Sequence, residues 1–401
     1  MIILVLNFGS SSLKYQLINT QLKETLAKGN FERIGQPNAF LTHKLGEEKH
    51  KFEMDVPDHE TALNIILGKL TSVTFGVIAG VDRIDAIGHR IVHGGDYFKK
   101  PTLVDDEVLK KIEECIPLAP LHNPAAIKGI EACREVLPGK PNVLIFDTSF
   151  HQTIPKERYI YPIPYKYYEK YKIRKYGAHG ISHDYVSHRV ASLKHASLKK
   201  LRIVNCHLGQ GASVCAILNG KCVDTSMGLT PLGGIPMGTR SGDLDPSVVT
   251  FIMKHDNIGP DEMNRILNNR SGIYGISGAS IDFRDVEAEA NLGDRRAKLA
   301  VENFVYSVAQ KIAEYAVAMQ GIDVITFTAG VGEKGIEFRK KICNYLECFG
   351  VEIDENLNNR KNIEAKISTP TSEIEVWVIP TDEEMLIAED TEKVCRENNL
   401  F

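Results

Sequence analysis

The residues of this chain best suited to chemistry are two arginines and two turns of small residues. Arg90 lies in Gly88-His89-Arg90-Ile91-Val92-His93-Gly94-Gly95, and Arg240 in Met237-Gly238-Thr239-Arg240-Ser241-Gly242-Asp243. A guanidinium fork suits carboxylate and phosphate anions. A surface salt bridge is the plainer use of an arginine, but it gives no reason for the flanking glycines. The turns Asn7-Phe8-Gly9-Ser10-Ser11-Ser12 and Gly209-Gln210-Gly211-Ala212-Ser213 are dense in backbone N–H groups with nothing bulky to keep a ligand away. The first adds three serine hydroxyls and is followed by Lys14. Taken singly each reads equally as a tight turn, and neither fits the G-x-x-x-x-G-K-[ST] phosphate loop.

Other groups extend the list. Gly330-Val331-Gly332-Glu333-Lys334-Gly335 is a literal G-x-G-x-x-G, with Glu355 downstream where a ribose-binding acid would stand. It keeps a dinucleotide-binding reading open, although it lies far from the first strand of the chain. His179 and His183 are four apart, yet H-E-x-x-H is absent; His183 reads as structural and His179, beside Gly180, as a ligand donor. Asp147 ends an apolar run and Glu383-Glu384 open a helix, edges where carboxylates suit Mg²⁺ or simply the helix N-terminus. Eight cysteines, at 115, 133, 206, 215, 222, 343, 348 and 395, form no CxxC pair and read as structural thiols. Phosphate turns, anion-binding arginines and candidate Mg²⁺ carboxylates together describe a phosphotransferase without naming its acceptor.

Strands and helices alternate to hold these groups. Apolar runs at 1–6 and 13–18 flank the first turn; strands at 203–208 and 214–218 flank the second, and Asn219-Gly220 then turns the chain. Further strands are expected at 142–146, 324–327 and 376–379. Helical periodicity marks 61–70, 107–115, 125–137, 183–198, 296–319, 336–345 and 383–396. Strand, small turn, strand thus occurs twice about 200 residues apart. That spacing excludes a solenoid and reads equally as a duplicated α/β domain or as two hairpins alike by chance. The stretch 155–164, with three prolines, is the candidate crossover.

The 401 residues carry 48 basic and 52 acidic side chains, a formal charge of −4, with 43% apolar residues. Ordinary globular composition and near-neutral charge give no footprint for nucleic acid or anionic lipid. The apolar start is too short for a signal peptide and no stretch approaches a membrane span. A protein of the reducing cytoplasm is expected.

The chain resembles the acetate kinase family along its whole length. The likeness is carried by N-F-G-S-S-S-L-K-Y at 7–15, G-H-R-I-V-H-G-G at 88–95, L-A-P-L-H-N-P at 118–124, F-D-T-S-F-H at 146–151 and R-K-Y-G-A-H-G at 174–180. H-L-G-Q-G-A-S at 207–213, M-G-T-R-S-G-D-L-D-P at 237–246, D-F-R-D at 282–285, T-A-G-V-G-E at 328–333 and I-P-T-D-E-E at 379–384 complete it. Ten blocks in order displace the dinucleotide reading. The resemblance implies an α/β fold of two related domains, the sugar kinase/actin-like (ribonuclease H-like) fold, with the active site in the interdomain cleft. One domain would be 1–150 plus about 383–401, binding acyl substrate and phosphate; the other, 151–382, would bind nucleotide. A homodimer is implied, as is reversible transfer from ATP to acetate giving acetyl phosphate and ADP.

By the same resemblance, Arg90, Asp147, His179 and Arg240 would be catalytic, the arginines holding carboxylate and phosphoryl group. Asn7, Asp147 and Glu383 would place Mg²⁺ (or Mn²⁺). Ser10, Ser12, Lys14, His207, Leu208, Gly209, Gln210 and Gly211 would line the phosphate path. Asp282, Phe283, Arg284, Gly330, Val331, Gly332, Glu333 and Lys334 would meet the nucleotide. Val92, Leu121, His122, Ala178 and Pro231 would surround the acyl substrate.

Some positions depart from the family's usual residues: Gln210 replaces an asparagine, Gly233 a glutamate, Lys334 an asparagine, and Ala178 a phenylalanine against the acetate methyl. The last opens room for propionate or butyrate unless a neighbour such as Ile181 fills it. A propionate or short-chain fatty acid kinase, and a nucleotide-binding sensor without turnover, are the alternatives.

Overall fold

A computed structural model describes residues 1–120, 122–361 and 363–401 and divides the chain into two compact units, Met1–Phe150 with Asp382–Phe401, and His151–Thr381.

The first unit is built on an eight-stranded sheet of β1 (Ile2–Gly9), β2 (Ser12–Asn19), β3 (Glu24–Glu32), β4 (Phe40–Leu45), β5 (Glu48–Glu53), β6 (Ala86–Ile91), β7 (Thr102–Leu103) and β8 (Asn142–Phe146), in the order β5-β4-β3-β2-β1-β6-β8-β7. Its centre, β1, β6 and β8, is parallel and buried on both faces, so these strands read as continuous apolar runs. On one face Leu4, Leu6 and Phe8 join a core with Ala62, Leu63 and Ile66 of the helix His59–Leu70. On the other, the helix Glu383–Glu397 presses on β6 so closely that a side chain at Gly88 would meet Ile387 Cγ2 at 2.8 Å.

The second unit holds β9 (Arg202–Leu208), β10 (Ala212–Leu218), β11 (Lys221–Thr225), β12 (Val324–Thr328), β13 (Ala365–Lys366) and β14 (Glu375–Val378), in the order β11-β10-β9-β12-β14-β13. The 25-residue helix Arg295–Met319 covers this sheet, its Phe304, Val308, Ile312 and Tyr315 recurring at helical spacing in the core. Asn219 and Gly220 both take positive φ (55° and 78°), the geometry a two-residue hairpin turn requires.

The two sheets share a plan. In each, an antiparallel hairpin (β1–β2, β9–β10) has its first strand paired in parallel with a later strand (β6, β12) and then another (β8, β14). The repeat seen in the sequence is this topology. Corrections concern lengths and omissions. Strands β3–β5 and β6 were not expected, the helix placed at 183–198 runs Gly180–Leu193, and the glycine segment 329–334 is itself a short helix, Ala329–Lys334. Ala329, at φ 65°, makes the turn off β12 that the glycines were expected to make. The unit boundary falls at Phe150 and His151, ahead of the proline stretch. Among the described residues no helix is long and apolar enough to cross a membrane.

Candidate active site

In the first unit, period-two alternation delivers the polar groups. Val5 pairs with Gly88 on the face turned to the helix Glu383–Glu397, so Asn7 and Arg90, each two residues on, emerge from strand ends on that same face. Asp147 follows β8 directly, its N–H bonded to Ile91 O at 2.9 Å. Arg90 donates from Nε to Asp147 Oδ1 (3.1 Å) and from Nη2 to Oδ2 (2.9 Å), and its Nη1 lies 2.9 Å from Glu383 Oε2. All three guanidinium nitrogens therefore face carboxylates. Burial opposes the Arg90 charge, but Asp147 and Glu383 outweigh it and raise its pKa. Burial pushes the Glu383 carboxyl up to about 7; Arg90 opposes this, while Asp147 and Glu384 add to it.

A void of about 10 Å³, lined by Asn7, Lys14, Arg90, Glu383 and Glu384, adjoins this cluster. That is room for about one water or small ion. Asn7 and Glu383 line this void, and Asp147 adjoins it through Arg90; their carboxylate and amide oxygens are hard donors of the kind Mg²⁺ takes. Lys14 sits opposite Asn7 in the β1–β2 ladder, Ser12 opposite Gly9, and Ser10 in the turn. Val92 and the exposed His122 lie beyond β6 and at the start of the helix Asn123–Val136; Leu121 lies outside the described residues.

In the second unit the donors converge on Gly211. A side chain there would come within 3.4 Å of both Arg240 Nη1 and His179 Nε2. Arg240 is partly buried, donates to Pro231 O at 3.1 Å, and has no carboxylate partner among the described residues. Burial lowers its pKa. A guanidinium held from water without a counter-charge is a place for an anion.

His179 is the residue before the helix Gly180–Leu193 and takes φ 58°, a left-handed conformation a non-glycine residue holds only under constraint. A chain of hydrogen bonds orients it. Thr326 Oγ1 donates to Asn205 Oδ1 (2.7 Å), and Asn205 Nδ2 donates to His183 Nδ1 (2.9 Å). His183 Nε2 then donates to Ser213 Oγ (2.8 Å), and Ser213 donates to His179 Nδ1 (2.9 Å). This directionality leaves the His179 proton on Nε2, the atom beside Gly211. Burial keeps His183 neutral by lowering its pKa well below the usual value, as the relay requires. His207, its ring stacked on His179 at 4.0 Å, is bonded through Nδ1 to Ser182 Oγ at 2.8 Å.

The remaining residues divide by what they present. Gln210 is exposed and packs its amide over Gly238, where any side chain would collide with it. Gly209 donates its N–H to Gly211 O at 3.1 Å. The Leu208 and Phe283 side chains lie in the core, Phe283 edge-on to Phe304 and Phe338, so it is their backbone that is left to meet a ligand. Asp282 caps the helix Phe283–Leu292 and grips the exposed Arg284 at 2.6 Å. Gly330 has open space where a side chain would be, Val331 is half-buried and Lys334 exposed. Glu333 instead turns inward, accepting from Ala329 N at 2.8 Å, and a side chain at Gly332 would come within 3.3 Å of the Phe327 backbone in β12. Their carbonyls are tied by the fully buried Arg339, at 2.9 and 3.0 Å. Ala178 is buried, and His151 Nε2 donates to its carbonyl at 2.9 Å. Ser213, His183, Asn205, Thr326 and Arg339 are the residues of this region to which sequence reasoning gave no role in the site.

Comparison with known proteins agrees over the full length. The Acetokinase family model matches residues 2–389. The chain is 54% identical over 395 residues to the acetate kinase of Thermotoga maritima, covering 98% of both. Among solved structures it resembles Porphyromonas gingivalis acetate kinase (44% identity, TM-score 0.95) and a propionate kinase from Francisella tularensis (41%, TM-score 0.91), each match covering 98% of this chain and 99% of the other.

Proposed function

The chain belongs to the acetokinase family, and on that premise we propose that it transfers a phosphoryl group reversibly between ATP and acetate, giving acetyl phosphate and ADP. The observation that carries this reading is the Arg240 guanidinium without a counter-charge, meeting the N–H of His179 over Gly211. Acetate is ionised at neutral pH, since a carboxyl group loses its proton near pH 4, so the nucleophile needs no base. The difficulty is bringing one anion against another. Arg90 and Arg240 would hold the carboxylate and the phosphoryl group, and His179 Nε2–H would donate to an equatorial oxygen of a direct in-line transfer. Asp147, Glu383 and Asn7 would hold Mg²⁺ or Mn²⁺, which when bound neutralises phosphate charge. Ser10, Ser12, Lys14, Gln210 and Gly211 would follow the phosphates with His122 and His207 nearby, while Asp282, Arg284, Gly330 and Val331 would receive adenosine. The unit with β1–β8 would then serve the acyl substrate, and the unit with β9–β14 the nucleotide.

A second reading, propionate as acceptor, is favoured by the small side chain of Ala178 and by the likeness to a propionate kinase. A homodimer belongs to the same proposal. It is supported by the helix Pro246–His255, none of whose residues is buried and where Phe251 is 62% exposed. A cytoplasmic setting suits the eight unpaired cysteines.

The test is an ATP- and Mg²⁺-dependent hydroxamate assay with acetate, propionate and butyrate side by side, and Arg240→Ala as the blank. Acyl phosphate formed by the wild type and lost in the blank is the expected result. Nucleotide binding without turnover on any acid would make the chain a sensor.

A further inference from the structure

The hairpin β10–β11 carries two thiols that meet an imidazole inside the second unit, apart from the cluster over Gly211. Cys215 Sγ lies 3.5 Å from Cys222 Sγ, and His151 Nδ1 lies 3.1 Å from Cys222 Sγ. The three atoms fall within 4.8 Å of one another, and all three residues are fully buried. His151 donates its ring proton, on Nε2, to the carbonyl of Ala178. Nδ1 is thereby the lone-pair nitrogen, turned toward the thiols, and a backbone carbonyl on the far ring nitrogen is how metal-binding imidazoles are commonly oriented.

An independent observation points to the same place. The Tyr315 hydroxyl is fully buried with no hydrogen-bond partner among the described residues; burial raises its pKa, and Asp224, Glu314, Cys215 and Cys222 lie near enough for a charge on any of them to raise it further. A buried hydroxyl is normally satisfied, which makes this one a polar atom able to take up a partner.

We propose that Cys215, Cys222 and His151 form a binding site for a divalent thiophilic ion of the Zn²⁺ class, with the Tyr315 hydroxyl available to hydrogen-bond a fourth ligand. On binding, two S–H bonds break and their protons pass to solvent, while two metal–sulfur bonds and one metal–nitrogen bond form. A dication with two thiolates and a neutral imidazole carries no net charge, which lets the assembly stay buried without a counter-ion. Two thiolates about 2.3 Å from one tetrahedral centre lie about 3.8 Å apart, close to the separation already present. Hard Mg²⁺ prefers oxygen and would not compete for this set. Cysteine spacing could not announce the site: Cys215 and Cys222 are brought together by the turn at Asn219-Gly220, and His151 comes from far along the chain.

Zinc-edge X-ray absorption on the reduced full-length protein with one equivalent of Zn²⁺ tests the assignment without a variant. Two sulfur ligands at about 2.3 Å and an imidazole nitrogen at about 2.0–2.1 Å are expected; a shell of nitrogen and oxygen alone overturns it. A Cd²⁺ titration followed by thiolate-to-metal charge transfer should saturate at one equivalent. It should weaken at least tenfold in Cys215→Ser and stay unchanged in Cys348→Ser, which removes the exposed thiol. Equal binding by Cys215→Ser, loss in Cys348→Ser, or a Cys215–Cys222 disulfide persisting in reductant would each overturn the proposal.

Discussion

His183 sets the proton pattern of His179 through one hydroxyl: Ser213 accepts from His183 Nε2 at 2.8 Å and donates to His179 Nδ1 at 2.9 Å. Because Asn205 fixes the opposite nitrogen of His183, the order of donors runs one way and ends with an N–H beside Gly211. A neutral imidazole is thus held in the one tautomer that can donate from Nε2.

Replacing Ser213 by alanine breaks that order. Ser213→Ala is expected to lower kcat on the order of 10–100-fold with little change in KM, the pattern of an interaction made in the transition state. It also leaves His183 Nε2 unpaired in the core, costing about 1–3 kcal/mol in urea unfolding. Ser213→Thr, which keeps the hydroxyl, should recover much of the activity. Equal kcat in Ser213→Ala and wild type would remove the relay from the mechanism.

Gly211→Ala puts a methyl group where the phosphoryl group is proposed to sit. The new carbon would stand 3.4 Å from Arg240 Nη1 and His179 Nε2, tight but not clashing, and the backbone there has no positive φ to strain it. Folding stability should therefore change by less than about 1 kcal/mol, while the KM for ATP rises at least severalfold. A variant as active as wild type would place the phosphates elsewhere.

Arg90→Lys keeps a charge but not the fork that spans Asp147 and Glu383. One ammonium cannot engage two carboxylates and a substrate anion at once. The expected outcome is a loss of kcat/KM for acetate of roughly 100-fold or more, and a higher Mg²⁺ concentration for half-maximal rate. Steady-state kinetics over a Mg²⁺ series measures both.

Stability should also fall in mild acid because of His89. Its Nε2 donates to Asn142 Oδ1 at 2.7 Å, its Nδ1 is buried without a partner among the described residues, and burial lowers its pKa to about 4. Unfolded, the same imidazole titrates near 6.5. Between those values the unfolded chain binds more protons, so stability is whole above about pH 6.5 and falls as the pH drops toward 4. The total loss is about 3 kcal/mol. Urea unfolding across this range should show the slope, and His89→Gln should flatten it by about one proton.

How much of this was legible depended on the kind of residue. Arg90 and Arg240 stood out in the sequence through the glycines around them, whereas Asp147 and Glu383 read equally as helix-end charges until the family resemblance gave them a role. The relay did not: Asn205 and Thr326 lie inside otherwise apolar strands, where a neutral polar side chain reads as an interruption. Strands β3 to β5 were missed because only Ala27, Phe31, Leu41 and His43 of their residues are buried, and their partly buried Leu26, Leu45 and Phe52 are too scattered among polar residues to give the apolar alternation that marks a strand. Leu208 and Phe283 come to the proposed site with their motifs, and because their side chains fill the core it is their backbone that would meet a ligand. The twin hairpins were readable because strand, small turn, strand is local, whereas their partners β6 and β12 join them only through long crossovers.

The acceptor pocket gives the last prediction. Ala178 offers one methyl group where the family usually carries a phenyl ring, and its carbonyl is anchored by His151, so the backbone cannot readily shift to close the gap. If Val92 and Pro231 bound the rest of the acyl chain, a longer acid would bury one more methylene in the space left. That gain is about 0.8 kcal/mol, a factor of about four. The ratio of kcat/KM for propionate over acetate should therefore drop about fourfold or more in Ala178→Phe, with acetate turnover largely kept. Ile181, buried three residues on in the first turn of the helix Gly180–Leu193, is the side chain able to fill the space instead; in that case the phenyl ring would be overpacked, the protein destabilised, and both acids slowed alike. The acid ratio and the thermal midpoint, measured on the same preparation, distinguish an open pocket from a filled one.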